Sequence, residues 1–168
     1  MDLWRSIGLC CLALIFLQCE KDDICSASTP TTPSLIIRFY DFNNPNELKA
    51  AENLKVFGVD ASGNSFEVLG LNVFSTDSLA LPLPTDLNAA TFQLYINYEN
   101  EETSGNGDSF VTEFQTGDIF VSRACGYKTF YSQLDAHSLV DSDNWILNTE
   151  VVHTVINNTI HAHVKIYH

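Results

Sequence analysis

Four of the five histidines fall within the last sixteen residues: His153, His161, His163 and His168. Imidazoles two apart on a strand share a face, so His161 and His163 could chelate a metal as a pair, given a third ligand. Asn157-Asn158 suits a two-residue hairpin turn with positive φ at both positions. That register pairs Glu150 with Lys165, Val151 with Val164 and His153 with Ala162. It gathers Val151, Val155, Ile160, Ala162 and Val164 on one face. A one-residue slip would set Glu150 opposite Ile166 and spoil that face. In this register His153 points to the core side, while His161 and His163 point away as solvent-facing imidazoles. No metal site is expected.

Other chemistry is sparse. The chain holds no GxSxG, HExxH, Walker loop or dinucleotide fingerprint. Asp141-Ser142-Asp143-Asn144 and Asn106-Gly107-Asp108 are oxygen-rich, but the glycine and distal glutamate of a calcium loop are out of place. No cofactor and no catalytic residue is expected, so the chain does not read as an enzyme. A small envelope hydrolase, its Ser/His/Asp site assembled in space, stays as an alternative. Tyr95, Tyr98, Tyr127, Phe130, Tyr131 and Trp145 could line a sugar-stacking platform; sandwich core and sheet surface is the more ordinary use of such residues.

Five cysteines raise a different chemistry. Arg5 precedes an apolar run from Ile7 to Leu17, too short to span a bilayer and followed by an abrupt change to charge. This is a secretory pattern. Phe16-Leu17-Gln18 offers no small residues to an ordinary signal peptidase. Leu17-Gln18-Cys19 instead resembles a relaxed lipobox of the Bacteroidota type, which makes residues 1–18 a signal peptide and Cys19 the lipidated residue. Gln18 departs from the small residue preferred there. Glu20-Lys21-Asp22-Asp23 resembles the signal that sends lipoproteins of that phylum to the outer face of the outer membrane; the periplasmic leaflet is the alternative. Asp77-Ser78-Leu79 matches a three-residue O-glycosylation sequon of the same phylum and would place a glycan on Ser78.

Cys10 and Cys11 leave with the signal and Cys19 takes the lipid, which leaves Cys25 and Cys125. Two thiols in an oxidising compartment pair, and neither sits in a CxxC motif. A disulfide closing so long a loop contributes up to roughly 4–5 kcal/mol in the chain-entropy model. It would leave residues 20–24 as the free tether, with a reach of roughly 15–18 Å.

These groups must be positioned by a mature chain of about 150 residues, ample for one core. Residues 19–33 form a lipidated tether that ends in Thr29-Pro30-Thr31-Thr32-Pro33. Residues 34–168 form the folded domain. Strands are predicted at 35–42, 54–59, 66–73, 91–98, 110–114, 119–122, 127–134, 145–156 and 160–167, with 79–84 an edge or irregular strand because of its prolines. Thr91 to Tyr98 alternates most cleanly. Asn44-Pro45-Asn46-Glu47 reads as a helix start that could run for two turns through Glu52. The expectation is an all-β antiparallel sandwich, immunoglobulin-like or similar, of roughly nine short strands and at most one short helix.

Acidic residues outnumber basic ones by 21 to 8, for a formal charge of −13. That argues against a nucleic-acid partner and against a polybasic membrane face. Cys19-Glu20-Lys21-Asp22-Asp23-Ile24-Cys25, the Thr-Pro stretch running into Leu35-Ile36-Ile37-Arg38-Phe39-Tyr40, Leu81-Pro82-Leu83 with Thr91-Phe92, and Val121-Ser122-Arg123-Ala124-Cys125-Gly126-Tyr127 resemble an uncharacterised family of small flavobacterial lipoproteins. The resemblance spans nearly the whole mature chain and implies no activity. The expectation is a lipid-anchored outer-membrane or cell-surface binding or structural module. Its partners would be the membrane, through the lipid, and an unidentified outer-membrane protein or glycan. An accessory subunit of an uptake or secretion complex is an alternative.

Overall fold

Leu35, Ile37 and Phe39 alternate with half-buried Ile36, Arg38 and Tyr40, and that period of two makes the first strand. A computed structural model describes residues 24–68, 72–99 and 105–168 of the chain. The described residues hold ten strands and no helix. They are β1 (Leu35–Tyr40), β2 (Ala51–Val59), β3 (Ser65–Glu67), β4 (Phe74–Thr76), β5 (Ser78–Leu81), β6 (Ala89–Ile96), β7 (Asn106–Ser122), β8 (Gly126–Ser138), β9 (Asn148–Val151) and β10 (Val164–Tyr167). One sheet runs β5-β1-β10-β9; the other runs β3-β2-β6-β7-β8, with β4 also paired to β2. The fold is an all-β sandwich, as expected. The chain divides into two units. The larger comprises Pro30–Ile119 and Lys128–His168; the smaller joins the segment up to Thr29 with Phe120–Tyr127.

Inside the larger unit, buried residues from both sheets form one apolar core, among them Leu35, Phe39, Leu54, Leu94, Phe110 and Ile166. The sandwich is not wholly antiparallel: β1 and β10 pair in parallel, with Ile37 opposite Val164 and Phe39 opposite Ile166. Nothing local in either strand announces this, because a parallel pair joins segments distant in sequence. β9 pairs with β10 in the expected register, Glu150 opposite Lys165 and Val151 opposite Val164. β5 lies at a sheet edge, where Pro82 ends it as proline chemistry requires.

The helix predicted from Asn44 does not form. Asn44 to Glu47 makes a turn closed by the Glu47 N–H donating to the Asn44 carbonyl at 2.8 Å, and Leu48 bridges back to Tyr40. Two turns of helix are too short to persist alone. Extended backbone instead buries Ala51, Leu54 and Val56 in the core. Asn53 absorbs the resulting irregularity at φ 45°, where asparagine is tolerated. The two strands expected at 110–114 and 119–122 are one strand, β7, of 17 residues. The ladder of β6 ends at Ile96, since Asn97 turns at φ 54°.

Three glycines carry aromatic rings in place of side chains. Phe66 covers Gly58, Tyr95 covers Gly107 and Phe130 covers Gly117, and any Cβ at these positions would overlap the ring. Two of these are directly paired across strands. The ring shields backbone that glycine leaves bare.

Tyr131 is fully buried, and its hydroxyl donates to the Leu83 carbonyl at 3.0 Å. Leu83 stands between Pro82 and Pro84, which donate nothing to a ladder, so a side chain from β8 holds the segment in place. Tyr131→Phe leaves that carbonyl unpaired and should lower stability by about 1–2 kcal/mol, seen as a drop in melting temperature of several degrees.

Candidate functional site

The Pro82-Leu83-Pro84 segment forms one wall of a cleft of about 820 Å³. The end of β2, strand β3 and the start of β6 supply the rest. Val68, Leu83 and Phe92 lie buried at its sides, while Phe66 and Leu87 remain more than half exposed. Few polar side chains reach it. Asp60 sits at the rim inside the β2–β3 turn, where bonds from Asn64 above all hold its carboxyl below the ordinary aspartate value. Glu67 is bonded to the buried Lys55 amine at 3.0 Å. Asp60 therefore stays an anion at the rim, Glu67 is engaged by Lys55, and apart from Thr91 the rest of the lining is apolar or glycine. A cleft of this size and lining has room and apolar surface for an apolar group.

The sequence missed this site. Its walls come from residues 58–68 and 82–92, and no single segment carries a signal for it.

His161 is exposed as expected, but His153 and His163 are placed otherwise. Past Val151 the β9–β10 ladder opens into a loop, so His153 does not oppose Ala162. His153 is exposed, not core-facing. Val155 and Ile160 are exposed too, and Ile156 is buried in their stead, bridging to Tyr131. His163 does not face solvent. It is 2% exposed; its N–H donates to the Ile36 carbonyl at 2.8 Å, and its Nδ1 accepts the Ile36 N–H at 3.0 Å. A two-sided bond to β1 outweighs the two-residue turn. His153 and His161 rings lie 6.0 Å apart, in a pocket of about 330 Å³ with His163. Among the described residues no serine, cysteine or carboxylate lines that pocket. Among the described residues no group of three or more His, Cys, Asp or Glu is placed to hold a metal ion.

The oxygen-rich segments do meet. Asp108 is fully buried, and its Oδ2 accepts from the Ile146 N–H at 2.8 Å and from Asn144 Nδ2 at 3.1 Å. Asn106 Nδ2 donates to the Asp143 carbonyl. The carboxylate thus pins the loop that brings Trp145 into the core.

The aromatic residues take the more ordinary use, as core and sheet surface. Tyr131 and Trp145 are core residues, Phe130 covers Gly117, and Tyr95 and Tyr98 pack edge-on with Phe57 about one sheet face. Tyr127 pairs with Phe120 in the smaller unit. Ser78 is the first residue of β5, half-buried and opposite Arg38. In the smaller unit Cys25 and Cys125 form a disulfide with Cα atoms 4.9 Å apart. Cys19 and Glu20, Lys21, Asp22 and Asp23 lie outside the described residues.

Burial lowers the His163 imidazole below the ordinary histidine value; His153 adds to this, a bond donated by the imidazole to the Asn158 backbone opposes it, and His161 adds again. His168 is lowered as well, first by burial. The unfolded chain takes up these protons near pH 6.5 while the folded chain resists them, so stability is complete above that pH and falls below it. Protonated Nδ1 can no longer accept from Ile36. His163→Gln should therefore show a shallower loss of melting temperature between about pH 7 and pH 5 than the unaltered protein, with a residual slope from His168.

No curated protein and no solved structure matches the chain. One family matches residues 53–168, from within β2 through β10, and so takes in both the cleft and Cys125. On that match the chain belongs to the family of unknown function DUF6452.

Proposed function

We propose that the protein is a lipid-anchored module of the outer membrane, exposed at the cell surface, which binds an apolar ligand or segment in its cleft. The observation that carries the binding half is the open apolar cleft of about 820 Å³ with Phe66 and Leu87 exposed at its mouth. Apolar side chains grouped in this way mark binding surfaces more often than idle ones. The anchoring half rests on sequence: a short apolar leader, Leu17-Gln18-Cys19, and the acidic Glu20-Lys21-Asp22-Asp23 after it. Its flavobacterial character rests on the same motifs. The Cys25–Cys125 disulfide supports an oxidising compartment.

A second reading, an accessory subunit of an outer-membrane complex, draws on the same exposed Phe66 and Leu87. There the cleft receives an apolar segment of a partner protein. Among the described residues the cleft lining carries no serine, cysteine or histidine to favour a hydrolase.

Mass spectrometry of the N-terminal peptide from extracted membranes should show acyl groups on Cys19. A soluble, unmodified chain from wild-type cells overturns the anchor. Proteinase added to intact cells should degrade the protein, and replacing Lys21, Asp22 and Asp23 by Ala should protect it. For the cleft, the fluorescent apolar amine N-phenyl-1-naphthylamine should bind the purified protein. Leu87→Glu should weaken that binding by about tenfold or more, by setting a charge against the ligand, with little change in melting temperature. Equal binding by both forms overturns the cleft as the site.

A further inference from the structure

The smaller unit exposes more apolar surface than a strand turn needs. Tyr127 is 70% exposed, Phe120 55% and Ile24 83%. The Phe120 and Tyr127 rings pack edge to face with centroids 5.4 Å apart, so they present one aromatic edge rather than two scattered side chains. They flank the tight turn between β7 and β8, where the Cys125 N–H donates to Ser122 Oγ and Gly126 takes φ 70°. Residues 24–29 and 120–127 contain no acid, in a chain with 21. Their one charge is Arg123, which is exposed and borders a depression of about 370 Å³ lined also by Ser26, Thr29 and Ser122. Aromatic edge, hydroxyls and a lone guanidinium are the chemistry of a bilayer interface: rings settle among the headgroups and arginine pairs with phosphate.

Covalent geometry supplies the occupant. Cys25 is bonded to Cys125 within this turn. The six residue steps from Cys19 to Cys25 span at most about 20–22 Å. The zone between hydrocarbon and water is roughly 5–8 Å deep on each side of a bilayer. If Cys19 carries the lipid, as proposed above, the turn cannot leave the neighbourhood of the headgroups, and any apolar affinity acts at high effective concentration. We infer that the β7–β8 turn, through Phe120, Tyr127 and Ile24 with Arg123 beside them, seats in the phospholipid headgroup region of the membrane that holds Cys19. The inference rests on the acylation of Cys19.

The test uses the full lipoprotein extracted from membranes and reconstituted into vesicles of phosphatidylethanolamine and phosphatidylglycerol, some with brominated acyl chains. Tyr127→Trp places a reporter indole at the turn; the unaltered protein gives the background of buried Trp145. The variant's added emission should be blue-shifted and lose roughly half its intensity to bromines set near the headgroups, as for a ring at the interface. The vesicles contain no other protein. A water-like, unquenched signal from the introduced indole, on a chain whose Cys19 is acylated by mass spectrometry, overturns the inference alone. Absence of acyl groups overturns the anchor and the inference together. A double variant, Phe120→Ser with Ile24→Ser on the Tyr127→Trp background, keeps the lipid but should lose most of the quenching; quenching equal to that of the parent also overturns the inference.

Discussion

Val164 and Ile166 reach the core only because β10 enters between β1 and β9. The β5-β1-β10-β9 sheet depends on that insertion. Without β10, β1 would have an unpaired edge and β9 no neighbour. The parallel pair joins strands from opposite ends of the domain, so nearly every other contact must form in the loop it closes. Such long-range pairing is entropically slow to establish. His163 marks the point of entry, matching its backbone and ring nitrogen to both polar groups of Ile36. A buried imidazole there satisfies two backbone groups that would otherwise be stranded where the loop joins the strand.

The second sheet depends on a different kind of constraint. Its strands β7 and β8 are long, and the backbone of β7 is screened in places by rings resting on glycine. From the same hairpin Tyr131 crosses the core to Leu83. One residue thus couples the sheet packing to the shape of the cleft, because the proline-flanked wall has no ladder of its own. A site built from two turns and a tyrosine from a third segment is pre-formed without any of its lining residues being chemically unusual.

That explains which features can be read in the sequence. Strands with clean period-two burial, β1 and β6 above all, are visible because the alternation of Leu35, Ile37 and Phe39 or of Phe92 and Leu94 is local. The Glu150–Lys165 register is legible because only one register buries Val151 and Val164 together. The cysteine pair follows from compartment and elimination, which need no geometry. The expected helix at Asn44 fails because capping residues speak locally while Ala51 and Leu54 answer to the core. His163 escapes the sequence for the same reason in reverse: its partner, Ile36, is 127 residues away. The cleft is illegible because apolar residues near prolines look alike whether they face a partner strand or a void.

Charge bears on the proposed membrane placement. An excess of thirteen negative charges repels any anionic surface, a phospholipid headgroup layer included. Repulsion acts on the segments that carry the acids. The described residues of the smaller unit carry none, and they hold the disulfide that ties them to the N-terminal segment. Even modest apolar contact therefore favours this unit at a membrane, because competing acidic faces must bring carboxylates along.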